Sequence, residues 1–395
     1  MSFPLDVAYF PLGAAAFAGA ERSLLELASA QRAAGRRVAV FYEAALASTD
    51  FVTQAQAANV PVVPVRWAPE QPLHMVANEV WRFFGGLDAR LLHFNISWRS
   101  NMWLVPLIAR WRSEARLVGS MRAMPDRYEL VPRTLHFGVI PGLRLWKLPD
   151  LAVGRVWARA LHATVSVNRD DYPPRLISEF GFAANRLSVI YDGVQLPDSL
   201  PSEAERAHAR ASLGLPVGAF VVVYVGRVSQ EKGVRYAIEA LTAADAEVHL
   251  VIAGEGDDLA AARSLAGELG VSSRVHFLGY VTNPAHVYTA ADVAVVPSLW
   301  NEAFGRVVVE AMGYGVPTVA TAVGGMRELF DHGVQGLFVP KADAGAIAGA
   351  LERLRIDGGL RQSMAVAARE LALARYSSER VSAEYASWYA EVVNA

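Results

Sequence analysis

The chain has no cysteine and only three lysines, Lys147, Lys232 and Lys341, among 37 lysines and arginines. The first absence excludes disulfides, thiolate metal sites and a cysteine nucleophile, and makes a reducing cytoplasm the expected compartment. The second shows a bias toward arginine wherever any cation serves, so a lysine in a glycine-flanked turn marks a place for a compact point charge. Lys232 is such a lysine. No uncharged apolar run approaches the roughly 20 residues that span a bilayer. The apolar stretch up to Ala20 follows no basic residue and is interrupted by Asp6, which reads as a first strand and loop rather than a secretory signal. A soluble or peripheral protein is expected. Asp-x-Asp is absent, and His and Asp do not cluster at ligand spacing, so no metal site is expected.

What is present is alternation. With 395 residues the chain suits two domains of about 150 to 200 residues each. Short apolar, β-branched runs at 5–10, 38–42, 60–65, 90–95, 116–120, 163–167 and 187–191 alternate with helical periodicity, and a second series repeats at 220–225, 248–253, 274–278, 293–296, 318–320 and 337–339. This pattern predicts an α/β protein of two Rossmann-like, doubly wound domains, 1–195 and 203–375, joined through the proline-bearing segment 192–202. A last helix over 376–395, with Val381, Tyr385, Trp388, Tyr389 and Val392 near one face, is expected to pack back on the first domain.

The net charge of −2 hides an asymmetry. Residues 80–160 carry 13 basic against 5 acidic residues and six of the nine tryptophans: Trp81, Trp98, Trp103, Trp111, Trp146 and Trp157. Two readings are open, a packed core with solvated arginine heads or a face that meets an anionic membrane or lipid-linked acceptor.

In an open α/β sheet ligands sit beyond the carboxyl ends of the strands. In the second half these ends carry Gly226-Arg227, Gly254-Glu-Gly256, Leu278-Gly279, 297–302 and Val323-Gly-Gly325. Arg227 can clamp phosphate oxygens in bidentate fashion, and Lys232 can add its ammonium. A helix is predicted over 304–312, with Glu302 in the loop before it and Glu310 about two turns inside. The amides of Ala303, Phe304 and Gly305 would then point out of a helix N-terminus that favours an anion. The other reading makes Glu302 an N-terminal helix charge and Glu310 an ion-pair partner.

These residues resemble a known family. Gly226-Arg227 with Lys232, the Glu302-x7-Glu310 pair and 324–328 look like the donor domain of retaining glycosyltransferases of family 4 (glycosyl transferases group 1), which have the GT-B fold, two Rossmann-like domains facing each other across a cleft. The likeness is specific over 220–340 and one of layout elsewhere. It implies that Arg227 and Lys232 bind the donor diphosphate, that Glu302 touches the transferred sugar and that Glu310 touches the ribose. Ala18-Gly19-Ala20-Glu21-Arg22 stands where the family often has Gly-Gly-x-Glu, which puts the Gly19 amide near the donor phosphate. Where relatives often place a histidine, this chain reads Ser120-Met121-Arg122. Arg122 could face phosphate or an anionic acceptor but cannot act as a general base, and His93 is a second candidate for the acceptor site, although a lone strand histidine is more often structural. The base is expected after Gly254 and Phe277.

The resemblance implies front-face transfer with retention, no resident cofactor, and a nucleoside-diphosphate sugar as donor to a hydroxyl of a glycan, lipid or small metabolite. Two alternatives stay open: hydrolysis or epimerisation of the nucleotide sugar, for which no acid–base pair is assignable, and a non-catalytic nucleotide-sugar binding partner.

Overall fold

The computed structural model describes residues 4–12, 19–47, 50–68, 71–96, 98, 102–124 and 148–395. The chain divides into two compact units, 1–193 with 381–395, and 194–380.

The first unit holds seven parallel strands: β1 Leu5–Pro11, β2 Val38–Tyr42, β3 Val62–Pro64, β4 Ala89–Asn95, β5 Arg116–Met121, β6 Ala163–Ser166 and β7 Leu187–Val189. Their order is β3-β2-β1-β4-β5-β6-β7, so the winding reverses between β1 and β4. The second unit holds six: β8 Phe220–Val225, β9 Val248–Ala253, β10 Val275–Gly279, β11 Val293–Val296, β12 Thr318–Thr321 and β13 Gly336–Val339, in the order β10-β9-β8-β11-β12-β13. Here the reversal lies between β8 and β11. Two Rossmann-like doubly wound sheets are therefore present as the alternation predicted, with strand ends shifted by a residue or two where fraying sets the boundary.

Central strands such as β1, β2, β8 and β11 are apolar along most of their length because helices cover both faces of a parallel sheet. Val222, Leu250 and Ile252 face one core of the second unit, while Val221, Val223 and Val251 face the other. In the first unit the Ser378–Asn394 helix returns to the sheet and buries Val381, Tyr385, Trp388, Tyr389 and Val392 with Val7, Tyr9 and Leu24. Burial of each such side chain contributes on the order of 2 kcal/mol.

The tryptophans of this stretch differ in burial. Trp157 is buried against Phe94, whereas Trp81 and Trp111 stand exposed. Trp146 lies outside the described residues.

Candidate functional site

The switch between β8 and β11 places their carboxyl-terminal loops side by side. Gly226 leaves β8 with φ at +145°, and its amide donates to the Ala253 carbonyl of β9 at 3.0 Å. Gly254 answers it: a Cβ there would lie 1.8 Å from the Gly226 carbonyl oxygen, so only glycine lets the two backbones touch. The Tyr224 hydroxyl closes the turn onto the Arg227 carbonyl at 2.6 Å.

The next turn is stitched to the loop after β11. The amides of Leu299 and Trp300 both donate to the Glu231 carbonyl, at 2.8 and 3.2 Å. Gly233 has φ at +67°, and its missing Cβ would lie 2.1 Å from the Pro297 carbonyl oxygen. That close approach carries Lys232 to Glu302: Nζ lies 2.5 Å from Oε1. The Ser298 hydroxyl donates to the same oxygen at 2.6 Å, and Ser298 is itself held by Thr321, whose hydroxyl donates to the Ser298 carbonyl at 2.6 Å. Behind the carboxylate, the Gly325 amide donates to the Glu302 carbonyl at 2.7 Å. Among the described residues Oε2 of Glu302 receives no hydrogen bond, and Lys232 Nζ donates to Glu302 alone. Each partner therefore keeps hydrogen-bonding capacity for a ligand. Arg227 projects outward, 64% exposed, paired with Glu231 at 2.9 Å.

The predicted helix start is corrected. Gly305 adopts φ +101°, a left-handed conformation that ends the loop, and the helix runs from Arg306 to Gly313. The first-turn amides are accordingly those of Arg306 and Val307 rather than of Ala303, Phe304 and Gly305. Phe304 instead buries its ring against Tyr376, centroids 5.7 Å apart. Glu310 stands fifth in this helix, little more than one turn inside it. Its Oε1 accepts from Arg306 Nε at 2.8 Å, and its Oε2 accepts from the Tyr288 hydroxyl at 3.0 Å. Burial first, and then the Glu310 charge, raise the Tyr288 phenol well above its ordinary value, so it stays a donor.

Phe277 lies on the edge strand β10, half-buried, with the Arg263 guanidinium 4.5 Å above its ring. Gly19 opens the Gly19–Ala33 helix, which follows β1 at the first unit's switch point. Asn95, at the end of β4, donates to the neighbouring Ala20 carbonyl at 3.4 Å. Ala18 lies outside the described residues.

The acceptor-facing expectation for Arg122 and His93 is corrected too. Arg122 is buried, its Nε 2.8 Å from Asp192 and its Nη1 bonded to Asn95 at 2.6 Å and Ser120 at 2.7 Å. Burial is the largest influence and opposes its charge, but the Asp192 carboxylate, Tyr385 and Tyr389 together outweigh it and raise the pKa further. His93 is wholly buried, with Nε2 bonded to the Ser120 hydroxyl and Nδ1 2.5 Å from the Tyr389 hydroxyl, which donates onward to Tyr9. Because the Tyr389 hydroxyl gives its one proton to Tyr9, it accepts from His93, which then carries its proton on Nδ1 and accepts from the Ser120 hydroxyl at Nε2. These are interior network residues, with both ring nitrogens and most guanidinium protons committed.

Burial, and then the Arg122 charge, hold the His93 pKa well below 6.5. Unfolding lets the ring take up a proton, so the stability gained from neutral His93 is complete above about pH 6.5 and is lost as pH falls toward the folded pKa, by about 1.4 kcal/mol per pH unit. Urea titrations of the wild type and His93→Gln, each at about pH 6.5 and 5.5, check this. The wild type should lose more stability over that interval than the variant, and parallel losses would contradict it.

Ser298, Thr321, Tyr288 and Arg306 were not among the residues expected from sequence. The Arg306–Glu310 pair was legible as an i,i+4 spacing. Tyr288, 22 residues from Glu310, left no local signal.

Residues 205–371, inside the second unit, match the family model described as Glycosyl transferases group 1. An uncharacterized glycosyltransferase of Methanocaldococcus jannaschii is 34% identical over 220 residues, which are 54% of this chain and 56% of that protein. A D-inositol 3-phosphate glycosyltransferase of Mycobacterium tuberculosis is 38% identical over 195 residues, 48% of this chain and 40% of that protein. The chain thus spans about half the length of the curated relatives it matches. Among solved structures, HepE of Anabaena in complex with UDP and glucose superposes with a TM-score of 0.81 at 22% identity, covering 98% of this chain and 99% of that one. WaaG, a glycosyltransferase involved in lipopolysaccharide biosynthesis, gives 0.71 at 18% identity over 97% and 99%. These likenesses establish the GT-B type of fold: two Rossmann-like units with parallel sheets.

Proposed function

We propose that the protein is a glycosyltransferase that moves a sugar from a nucleoside-diphosphate donor to a hydroxyl acceptor with retention of anomeric configuration. The single observation that carries this reading is the Lys232–Glu302–Ser298 cluster at the β8/β11 switch, with open hydrogen-bonding capacity on both charged partners. Lys232, with the exposed Arg227, receives the diphosphate oxygens, and Glu302 uses Oε2 to accept a hydroxyl proton of the sugar. Glu310, steadied by Arg306 and Tyr288, faces the ribose. The base lies against the Gly254 turn and β10 near Phe277. The match of 205–371 to the group 1 model supports this donor assignment.

In the reaction the bond from C1 to the donor phosphate oxygen breaks as the acceptor oxygen bonds to C1 on the same face. The acceptor proton passes to the leaving phosphate oxygen. Lys232 and Arg227 meet the charge that develops there, so neither a resident cofactor nor a metal is required. EDTA treatment followed by assay should leave the rate unchanged. A rate lost to chelator and restored by Mg²⁺ would overturn the metal-free part of the proposal.

Incubation with a panel of sugar nucleotides, scored for released nucleoside diphosphate with and without acceptors, tests the whole reading. UDP-sugars come first because HepE, of the same fold, was solved with UDP-glucose. Acceptor-dependent release supports transfer to a glycan, lipid-linked glycan or small metabolite. Acceptor-independent release of free sugar would indicate hydrolysis, and tight binding without turnover a binding partner.

A further inference from the structure

We infer that the outer face of the Leu73–Gly86 and Leu104–Arg112 helices, presenting Trp81, Trp111, Arg82, Arg110 and Arg112, docks on an anionic phospholipid surface. The two helices pack side by side. Inward they bury Val76, Val80 and Phe84, and Val105, Pro106 and Ala109. Outward they leave Trp81 51% and Trp111 81% exposed. Large indoles left in water by a chain that elsewhere buries Trp67 and Trp157 call for a partner on that face.

The charge around the indoles selects the partner. Arg110 and Arg112 flank Trp111, and the Arg112 guanidinium lies 5.4 Å from the centre of the Trp81 ring. Gly85 makes room for it: a Cβ there would meet Arg112 Nη2 at 2.7 Å. The neighbouring Leu148–Ala160 helix, packed against Leu104–Arg112, adds exposed Arg155 and Arg159. Together the three helices carry five arginines against Glu79 and Asp150. The positive field is felt by His162 at the end of the same layer, whose pKa burial, and then Arg110 and Arg116, push down to about 4.

An indole sits well at the level of lipid headgroups, and an arginine beside it pairs with lipid phosphate. Each cation near an anionic leaflet strengthens partition on the order of fivefold. No helix among the described residues is long and apolar enough to cross a membrane, so the contact is one of surface adsorption.

Flotation of the full chain with vesicles of phosphatidylcholine alone, and of phosphatidylcholine mixed with phosphatidylglycerol, tests the inference. Binding is expected to the mixed vesicles only and to fall as salt is raised. Trp111→Ala and the pair Arg110→Glu with Arg112→Glu should each reduce partition at least tenfold, with circular dichroism and nucleotide binding unchanged. Failure to bind mixed vesicles, equal binding to neutral ones, or unchanged binding by both variants would overturn it. So would retention on a soluble polyanion without vesicle binding. Because the readout is lipid partition, it stands or falls apart from the transfer assay.

Discussion

Replacing Lys232 by alanine should lower kcat on the order of 100- to 1,000-fold while leaving the fold intact. Removal of one preorganised charge aimed at a developing anion typically has that effect. Lys232 also holds Oε1 of Glu302, so its loss frees the carboxylate to turn from the sugar. Lys232→Arg should not restore the rate. The turn is pinned by the Gly233–Pro297 contact, and a guanidinium is longer and planar where an ammonium fills a point. Glu302→Gln keeps the acceptor oxygen for Ser298 but removes the negative charge opposite Lys232. Its loss should appear in kcat more than in donor Kd, since the diphosphate would still meet Lys232 and Arg227. Nucleoside diphosphate release under saturating donor and acceptor, with donor Kd by calorimetry, separates these effects. Wild-type turnover in Lys232→Ala or Glu302→Gln would remove the proposed site.

How far this site was readable without coordinates depends on the distance in sequence over which each contact acts. Strand runs such as 220–225 and 248–253 coincide with β8 and β9 because full burial on both faces leaves an unbroken apolar signature. The loops at their ends followed from the doubly wound pattern. The helix start did not: Phe304 reads as a helix former, but tertiary burial against Tyr376 and the left-handed Gly305 overrode local propensity. The pairing of Lys232 with Glu302 spans 70 residues and depends on the backbone touch at Gly233, which no periodicity encodes. Arg122 stands just past β5 as expected, whereas His93 lies inside β4 rather than at its end, and the interior pairing of both side chains was missed. Their partners Asp192, Tyr385 and Tyr389 come from the end of the first unit's main segment and from the returning helix, up to 296 residues away.

That misreading leads to the largest expected effect on stability. Arg122→Met should destabilise the first unit by about 3–5 kcal/mol, since it leaves the buried Asp192 carboxylate without its cation. For a unit of this size that corresponds to a fall of about 10 °C in its unfolding midpoint. Asn95, Ser120 and Tyr385 would lose the same donor, which spreads the damage along the chain of hydrogen bonds that ends at Tyr9. The double replacement Arg122→Met with Asp192→Leu removes both charges and should recover a large part of the loss, because two apolar groups need no pairing. A thermal double-mutant cycle measures this, and strict additivity would show that the two side chains do not act as a pair. Donor Kd supplies the second readout. An interior Arg122 predicts unchanged donor affinity in Arg122→Met at temperatures below its transition. A phosphate-facing Arg122 would instead weaken donor binding tenfold or more with little change in melting, and that outcome would return the residue to the donor site.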